Sequence, residues 1–169
     1  MKAKDLKKLE SMNPCADGLA WGKTQNSLHD VYENCERGDW MIWILRHSKK
    51  LTKTQAIEIA IVCAKHVYHG EDWNRWADRW LSGEDRTQAS SESAAIASIA
   101  SSASRAAYWA ASAAYWAARA ARAASASSAA YWAAYWAARA ASAAWVPSAE
   151  IKWQADRIRE IVKNPWGTK

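Results

Sequence analysis

The chain has 169 residues and a formal net charge of +6, with half of its residues apolar, thirteen tryptophans and no phenylalanine. That length suits one domain with a real core. A membrane partner is disfavoured: the longest strongly apolar run, Trp40 to Leu45, is far short of a span of roughly 20 residues, and each arginine in the alanine-rich middle would cost about 2.5–3.5 kcal/mol at a bilayer centre.

Much of the apolar content is alanine, so the tryptophans are expected to supply burial that large aliphatics usually supply, with polar acceptors beside their indole N–H groups. Cys15, Cys35 and Cys63 are odd in number and lack C-x-x-C spacing, which argues for reduced thiols and a cytoplasmic setting. Met1 leads into lysines and Asp5, so no secretory leader is expected. The basic balance suits an acidic partner, but nucleic acid is disfavoured on so weak a signal.

Met1 to Met12 predicts a short basic helix ended by Asn13-Pro14. Ala16 to Gly22 reads as turn-rich, and Ser27 to about Glu36 as a helix with Leu28, Val31, Tyr32 and Cys35 on one side. Arg37-Gly38-Asp39 reads as a stop and restart, with Gly38 at C′ and Asp39 capping a nearly all-apolar helix from Trp40 to His47, whose Trp40 and Trp43 are expected in the core. Thr52 and Gln55 have capping-box spacing before a helix to Tyr68, striped by Ile57, Ile61, Ala64 and Val67 and ended by Gly70. Glu71 to Ser82 predicts a helix with Trp73, Trp76 and Trp80 on one side, closed by Gly83. Asp85, with Gln88 three residues on, reads as the next N-cap. Pro147-Ser148 breaks the chain, and Ser148 is expected to cap a last helix through Lys163 with Ile151, Ala155, Ile158 and Val162 inward.

Between Gly83 and Pro147 there is neither glycine nor proline, and alanine and serine dominate from about Ala89 to Ala144, so helix is strongly favoured. Tyr108-Trp109 and Tyr115-Trp116 lie one heptad apart, edged by Arg105, Arg119 and Arg122. Tyr131-Trp132 and Tyr135-Trp136 lie four apart, with Arg139 continuing their side. In a straight helix the step from Trp116 to Trp132 would turn the second patch about 160° from the first, over a rod of roughly 80 Å. A break at Ser125-Ala126-Ser127-Ser128 would instead make a hairpin of two closely packed helices, and one long helix shared with a second subunit is the alternative. The expected fold is therefore an all-α multi-helix bundle, one domain over 1–169: short helices in 1–83, an Ala-rich helical segment over 84–146 and a C-terminal helix over 148–163.

Cys35-Glu36-Arg37-Gly38-Asp39-Trp40-Met41-Ile42-Trp43, the Ala-rich middle with its Tyr/Trp and Arg insertions, and Trp153-Gln154-Ala155-Asp156-Arg157-Ile158-Arg159-Glu160-Ile161-Val162 together resemble the Imm5-like immunity proteins of bacteria and phages. The resemblance implies an all-α protein that neutralises a toxin or effector by binding it, and singles out Asp39 and Trp40.

The residues themselves announce no enzyme: there is no phosphate-cradling Gly-rich loop, nucleophile elbow or convincing carboxylate pair. Cys63, His66 and His69 are three apart and match no zinc spacing, so neither a metal nor a cofactor is expected. Asp156 and Arg157 read as a surface ion pair or a lock onto the N-terminal half. The candidate binding residues are Arg37, Asp39, Trp40 and Arg157 on the flanking segments, with Arg105, Trp109, Trp116, Arg119, Arg122, Trp132, Trp136 and Arg139 on the Ala-rich faces. Two functions fit: an inhibitor of a toxin or effector protein, with assembly into a homo-oligomer left open, or a counter-defence protein that sequesters an anionic nucleotide signal between tryptophan planes and guanidinium groups.

Overall fold

The computed structural model describes residues 1–99, 105–122, 126–143 and 147–167. Within them the chain is all-α, with no strand: α1 (Ala3–Ser11), α2 (Ala16–Lys23), α3 (Leu28–Asn34), α4 (Gly38–His47), α5 (Lys53–Val67), α6 (Glu71–Ser82), α7 (Gln88–Ile99), α8 (Arg105–Arg122), α9 (Ala126–Ala143) and α10 (Pro147–Ile161). None of them is long and apolar enough to cross a membrane.

The alanine-rich stretch is three helices, where one rod or one hairpin was expected. α7 packs on α8, and α8 folds back along α9. α8 ends at Arg122 and α9 begins at Ala126, so Ala126, Ser127 and Ser128 begin a helix, while Ser125 lies outside the described residues. Alanine makes the contact surface: Ala113, Ala114 and Ala117 of α8 and Ala130, Ala133 and Ala137 of α9 are almost fully buried. A methyl group at each contact lets backbones approach closely, and α5 lies against both helices with Ile57, Ile59 and Ile61 inward. Burial on α5 is broader than the expected stripe, since Ala60 and Cys63 are covered as well.

The tryptophans divide differently from the expectation. Trp73, Trp76 and Trp80 of α6 are buried; Trp73 Nε1–H donates to the Ala114 carbonyl at 3.1 Å, the expected acceptor, whereas the buried Trp76 Nε1–H meets none among the described residues. Trp40 and Trp43 are only half-buried, because Met41, Ile42 and Leu45 take the inward positions of α4.

Several boundaries move for identifiable reasons. The segment read as turn-rich is α2, capped by Cys15, whose Sγ accepts from the Gly18 N–H at 3.4 Å. Thr52 and Gln55 do form a capping box. Gly70 does not end α5 but precedes α6, and Gly83 closes α6 at a φ of 85°. Asp85 supports the start of α7 by accepting from Thr87, whose own hydroxyl accepts from the Ser90 N–H. Pro147 is itself the first residue of α10, a position its fixed φ favours, so Ser148 is already helical.

Gly38 is not a C′ residue, and Asp39 is not an N-cap. Arg37 holds the cap position of α4, Gly38 opens the helix, and Asp39 lies in its first turn. The glycine serves a close approach: a Cβ there would stand 2.6 Å from Gln154 Cβ and 3.2 Å from the Ala155 nitrogen of α10. At Gly22 a Cβ would meet only the mobile end of Leu9, at 2.6 Å. Gly38→Ala is therefore expected to destabilise the protein by about 1–3 kcal/mol through overpacking. Gly22→Ala should fall within about 1 kcal/mol of wild type, since helix propensity offsets the contact. Urea melts of the two variants side by side check this, and equal losses would refute the distinction.

Candidate functional site

The two segments that flank the alanine-rich middle meet in space. α4 packs on α10 through Gly38, and the Arg159 guanidinium of α10 donates to the Cys35 carbonyl just before α4. The lock onto the N-terminal half is thus Arg159, where Arg157 or Asp156 was expected. Asp156 pairs with Arg159 at 3.0 Å, while Arg157 pairs with Glu160 at 2.6 Å and lies 5.9 Å from the Trp153 ring, on the surface of α10.

Beside this junction lies a cleft of about 310 Å³ whose floor is Leu9, Val31, Met41 and Ile44 and whose walls are Trp21, Trp40 and Trp43. Arg37, Asp39, Cys15 and Tyr131 provide its polar atoms. A second opening, about 630 Å³, shares Trp21, Cys35, Arg37 and Trp40 with the first and continues between them and Ser148, Ile151 and Lys152 of α10. The common wall is well ordered by contacts. Arg37 Nε and Nη2 donate to the two carboxylate oxygens of Asp39 at 3.0 and 2.6 Å, and the guanidinium carbon sits 4.5 Å from the centroid of Trp40. Trp40 in turn meets Trp21 at 5.9 Å. A bidentate pair lying on an indole fixes a charged rim over an apolar floor.

The electrostatics of the cleft are balanced. Arg37 is neutralised by Asp39, and Lys152 faces Glu36 at 3.3 Å and Asp156 at 3.7 Å. Burial holds the Tyr131 phenol above its ordinary range, with the charge of Asp39 adding to it. Burial also pushes the Cys35 thiol up to about 11, and its S–H is directed at the Arg37 carbonyl. Cys15 is exposed, whereas Cys35 and Cys63 are buried.

The face of the α8–α9 hairpin carries a second cluster. Trp116 and Trp132, which a straight helix would turn away from each other, stand 6.3 Å apart. Arg119 lies 5.5 Å from the rings of both Tyr115 and Trp116 and donates to the Tyr115 hydroxyl at 2.7 Å. Tyr135 is 5.6 Å from Trp132 and 5.3 Å from Trp136, and accepts from Arg139 at 3.2 Å. Arg122 does not join them, because Glu92 of α7 takes it at 2.9 Å. The side chains of Arg105 and Trp109 lie outside the described residues. Tyr131 links the two regions, touching Trp132 at 5.6 Å while lining the cleft.

Arg37, Asp39 and Trp40 are therefore together in the cleft, Trp116, Arg119, Trp132, Trp136 and Arg139 are together on the hairpin, and Arg122 and Arg157 stand apart. Trp21, Cys15 and Tyr131 were missed. The Pro14-Cys15 helix start was the available signal for the first two, while nothing in the sequence places Tyr131 against α4. His66 is engaged structurally: its Nδ1 lies 2.6 Å from Oε2 of the buried Glu150, and its ring stacks on Trp153 at 3.8 Å. No group of three or more metal-ligating side chains occurs among the described residues.

No model of a known protein family, no curated protein and no solved structure matches the chain.

The raised thiol of Cys35 has a sign. In the unfolded chain it ionises near 9.0, in the folded chain near 11, so the stability it contributes is complete below pH 9 and is lost as pH rises towards 11. Cys35→Ala should flatten the fall in unfolding free energy between pH 9 and 11 by on the order of 2 kcal/mol. An unchanged slope in denaturant melts across that range would count against a buried, protonated thiol.

Proposed function

We propose that this protein is a non-enzymatic binding protein that inhibits another protein by docking it over the Trp21–Trp40 cleft. The observation that carries the reading is the shared wall: two adjoining clefts, the second the more voluminous, have Trp21, Cys35, Arg37 and Trp40 in common, and the Arg37–Asp39 pair there is already held on a tryptophan face. An apolar floor with a rigid polar rim is the form of a protein hot spot, where a buried anchor supplies most of the affinity and the rim supplies orientation. The continuation of the groove towards Lys152 favours a polypeptide over a compact metabolite. Because the cations of the cleft are paired, its field does not select an anion, which weighs against a nucleotide there. A toxin- or effector-neutralising immunity protein, the role carried by the resemblance at Cys35–Trp43 and Trp153–Val162, is a binder of this kind. The first segment lines the cleft with Arg37, Asp39 and Trp40, and the second packs Gln154 and Ala155 against Gly38 beside it.

The test is affinity capture from the native host with matched variants. Wild type is expected to retain one stoichiometric protein partner, and Trp40→Ala to weaken that complex about 30-fold or more, as hot-spot truncation does. Arg37→Glu should weaken it as well. Arg37 is exposed and Trp40 half-buried, so Arg37→Glu should cost about 1 kcal/mol or less and Trp40→Ala about 1–3 kcal/mol, and thermal melts check that both stay folded. Equal capture by wild type and Trp40→Ala, with both folded, would reject the cleft as the docking site.

A further inference from the structure

From Trp40 to Ile57 the chain has no aspartate or glutamate, and Arg46, Lys49, Lys50 and Lys53 are all exposed where α4 turns into α5. None of the four forms an ion pair among the described residues. Glu58, further along α5, is half-buried, and Glu160, beside the Ile161 carbonyl that accepts from Gln55, is held by Arg157 at 2.6 Å. The turn adjoins the cleft. Trp43, one of its walls, stacks on His47 at 4.5 Å, and His47 Nδ1 lies 2.8 Å from the Trp43 carbonyl. We infer that this turn is the cationic rim of the cleft, and that the polypeptide docked there presents aspartate and glutamate side chains around an apolar anchor. The inference rests on the cleft being the docking site.

Local helix physics accounts for only part of this charge. Arg46 suits the last turn of α4, where a cation meets the carbonyl end of a helix. Lys49 does not suit its place. Its φ is 54°, its N–H bonds the Arg46 carbonyl at 3.1 Å and the Lys50 N–H bonds the Leu45 carbonyl at 2.9 Å, the left-handed helix ending that glycine adopts without strain. Lys53 is the first residue of α5, whose first turn holds no acid, although a carboxylate is favoured there over a cation. Lys49 and Lys53 therefore carry positive charge at a cost to the fold, as residues kept for binding do. Because the turn continues an apolar wall, a polypeptide can engage both, whereas a phosphate backbone brings no apolar anchor. The cations that line the cleft are paired, so the unpaired ones beyond Trp43 set the rate of encounter and the buried anchor sets the lifetime.

The probe is a random peptide library displayed on phage and selected on the wild-type protein. Selected peptides are expected to be rich in Asp and Glu around an aromatic or leucine side chain. Lys49→Gly combined with Lys53→Glu should weaken a synthetic representative about tenfold at about 50 mM salt and about twofold at about 500 mM, while Trp40→Ala should weaken it at both. The same two substitutions should raise the melting temperature by about 1–3 °C each, a gain that a structural role for the lysines would not give. Peptides without acidic enrichment, acidic peptides indifferent to the double variant, or a double variant that melts below wild type would each overturn the inference. The cleft reading survives those results if Trp40→Ala still weakens binding. Acidic peptides lost in the double variant yet indifferent to Trp40→Ala would overturn the cleft reading and the rim with it, and a library that yields no binder would overturn both. Oligo-dT, or vesicles of phosphatidylcholine and phosphatidylserine, binding wild type more tightly than the peptides and losing affinity in the double variant would overturn the inference in favour of a nucleic acid or a membrane surface.

Discussion

The close approach of alanine helices is the constraint on which the rest of this protein depends. The buried surface that α8 and α9 turn to each other and to α5 is built largely of alanine, with Ala113, Ala117, Ala133 and Ala137 fully buried. Each such residue buries little area, so the contact stabilises by dense packing and by favourable helix propensity more than by apolar area. A larger side chain at any of these positions would push two backbones apart, and because α9 also touches α4 and α10, the displacement would reach the cleft. The larger apolar side chains gather on the neighbours, with isoleucines on α5 and indoles on α6. Trp73 ties these layers together by donating to a carbonyl of α8.

The same economy of size governs the junction of α4 and α10. Gly38 admits Gln154 at a distance no side chain would allow, and Gln154 is itself held by donating to the Ala134 carbonyl of α9 and to Glu150. Glu150 is buried beside His66, so the first half of α10 is fastened to α5 and α9 by polar groups that are satisfied within the structure. The Tyr32 hydroxyl donates to the Val162 carbonyl at 2.6 Å and fastens the other end of the same helix to α3. The cleft is thereby built on a rigid frame, with Trp40 and the Arg37–Asp39 pair projecting from an anchored helix start.

The two surfaces differ in electrostatics more than in composition. Both combine tryptophan with arginine. In the cleft the cations are answered by Asp39 and Glu36, so shape and apolar contact dominate recognition there. On the hairpin Arg119 and Arg139 are held by tyrosine hydroxyls and aromatic rings, while Arg122 is taken by Glu92 of α7. Tyr131 and Trp132, consecutive in sequence, face one surface each.

The sequence by itself determined the all-α class, the capping box of α5, the buried indole row of α6 and the αL closure at Gly83, because each depends on neighbours within a few residues. It also placed Arg37, Asp39 and Trp40 in one short segment. Much of what it misjudged depends on distant partners. Gly38-Asp39 has the local form of a stop and a cap, yet the glycine answers to Gln154, more than a hundred residues away, while the aspartate pairs with Arg37 two residues before it. Cys15 as the cap of α2 was hidden by the glycines that follow it. The two aromatic patches of the alanine-rich stretch look opposed on a helical wheel and become one surface only because α8 and α9 are separate helices packed side by side. Periodicity reports which residues share a face of one helix; which faces of different helices share a surface was decided by the tertiary structure, through packing distances that alanine and glycine permit and the sequence pattern does not encode.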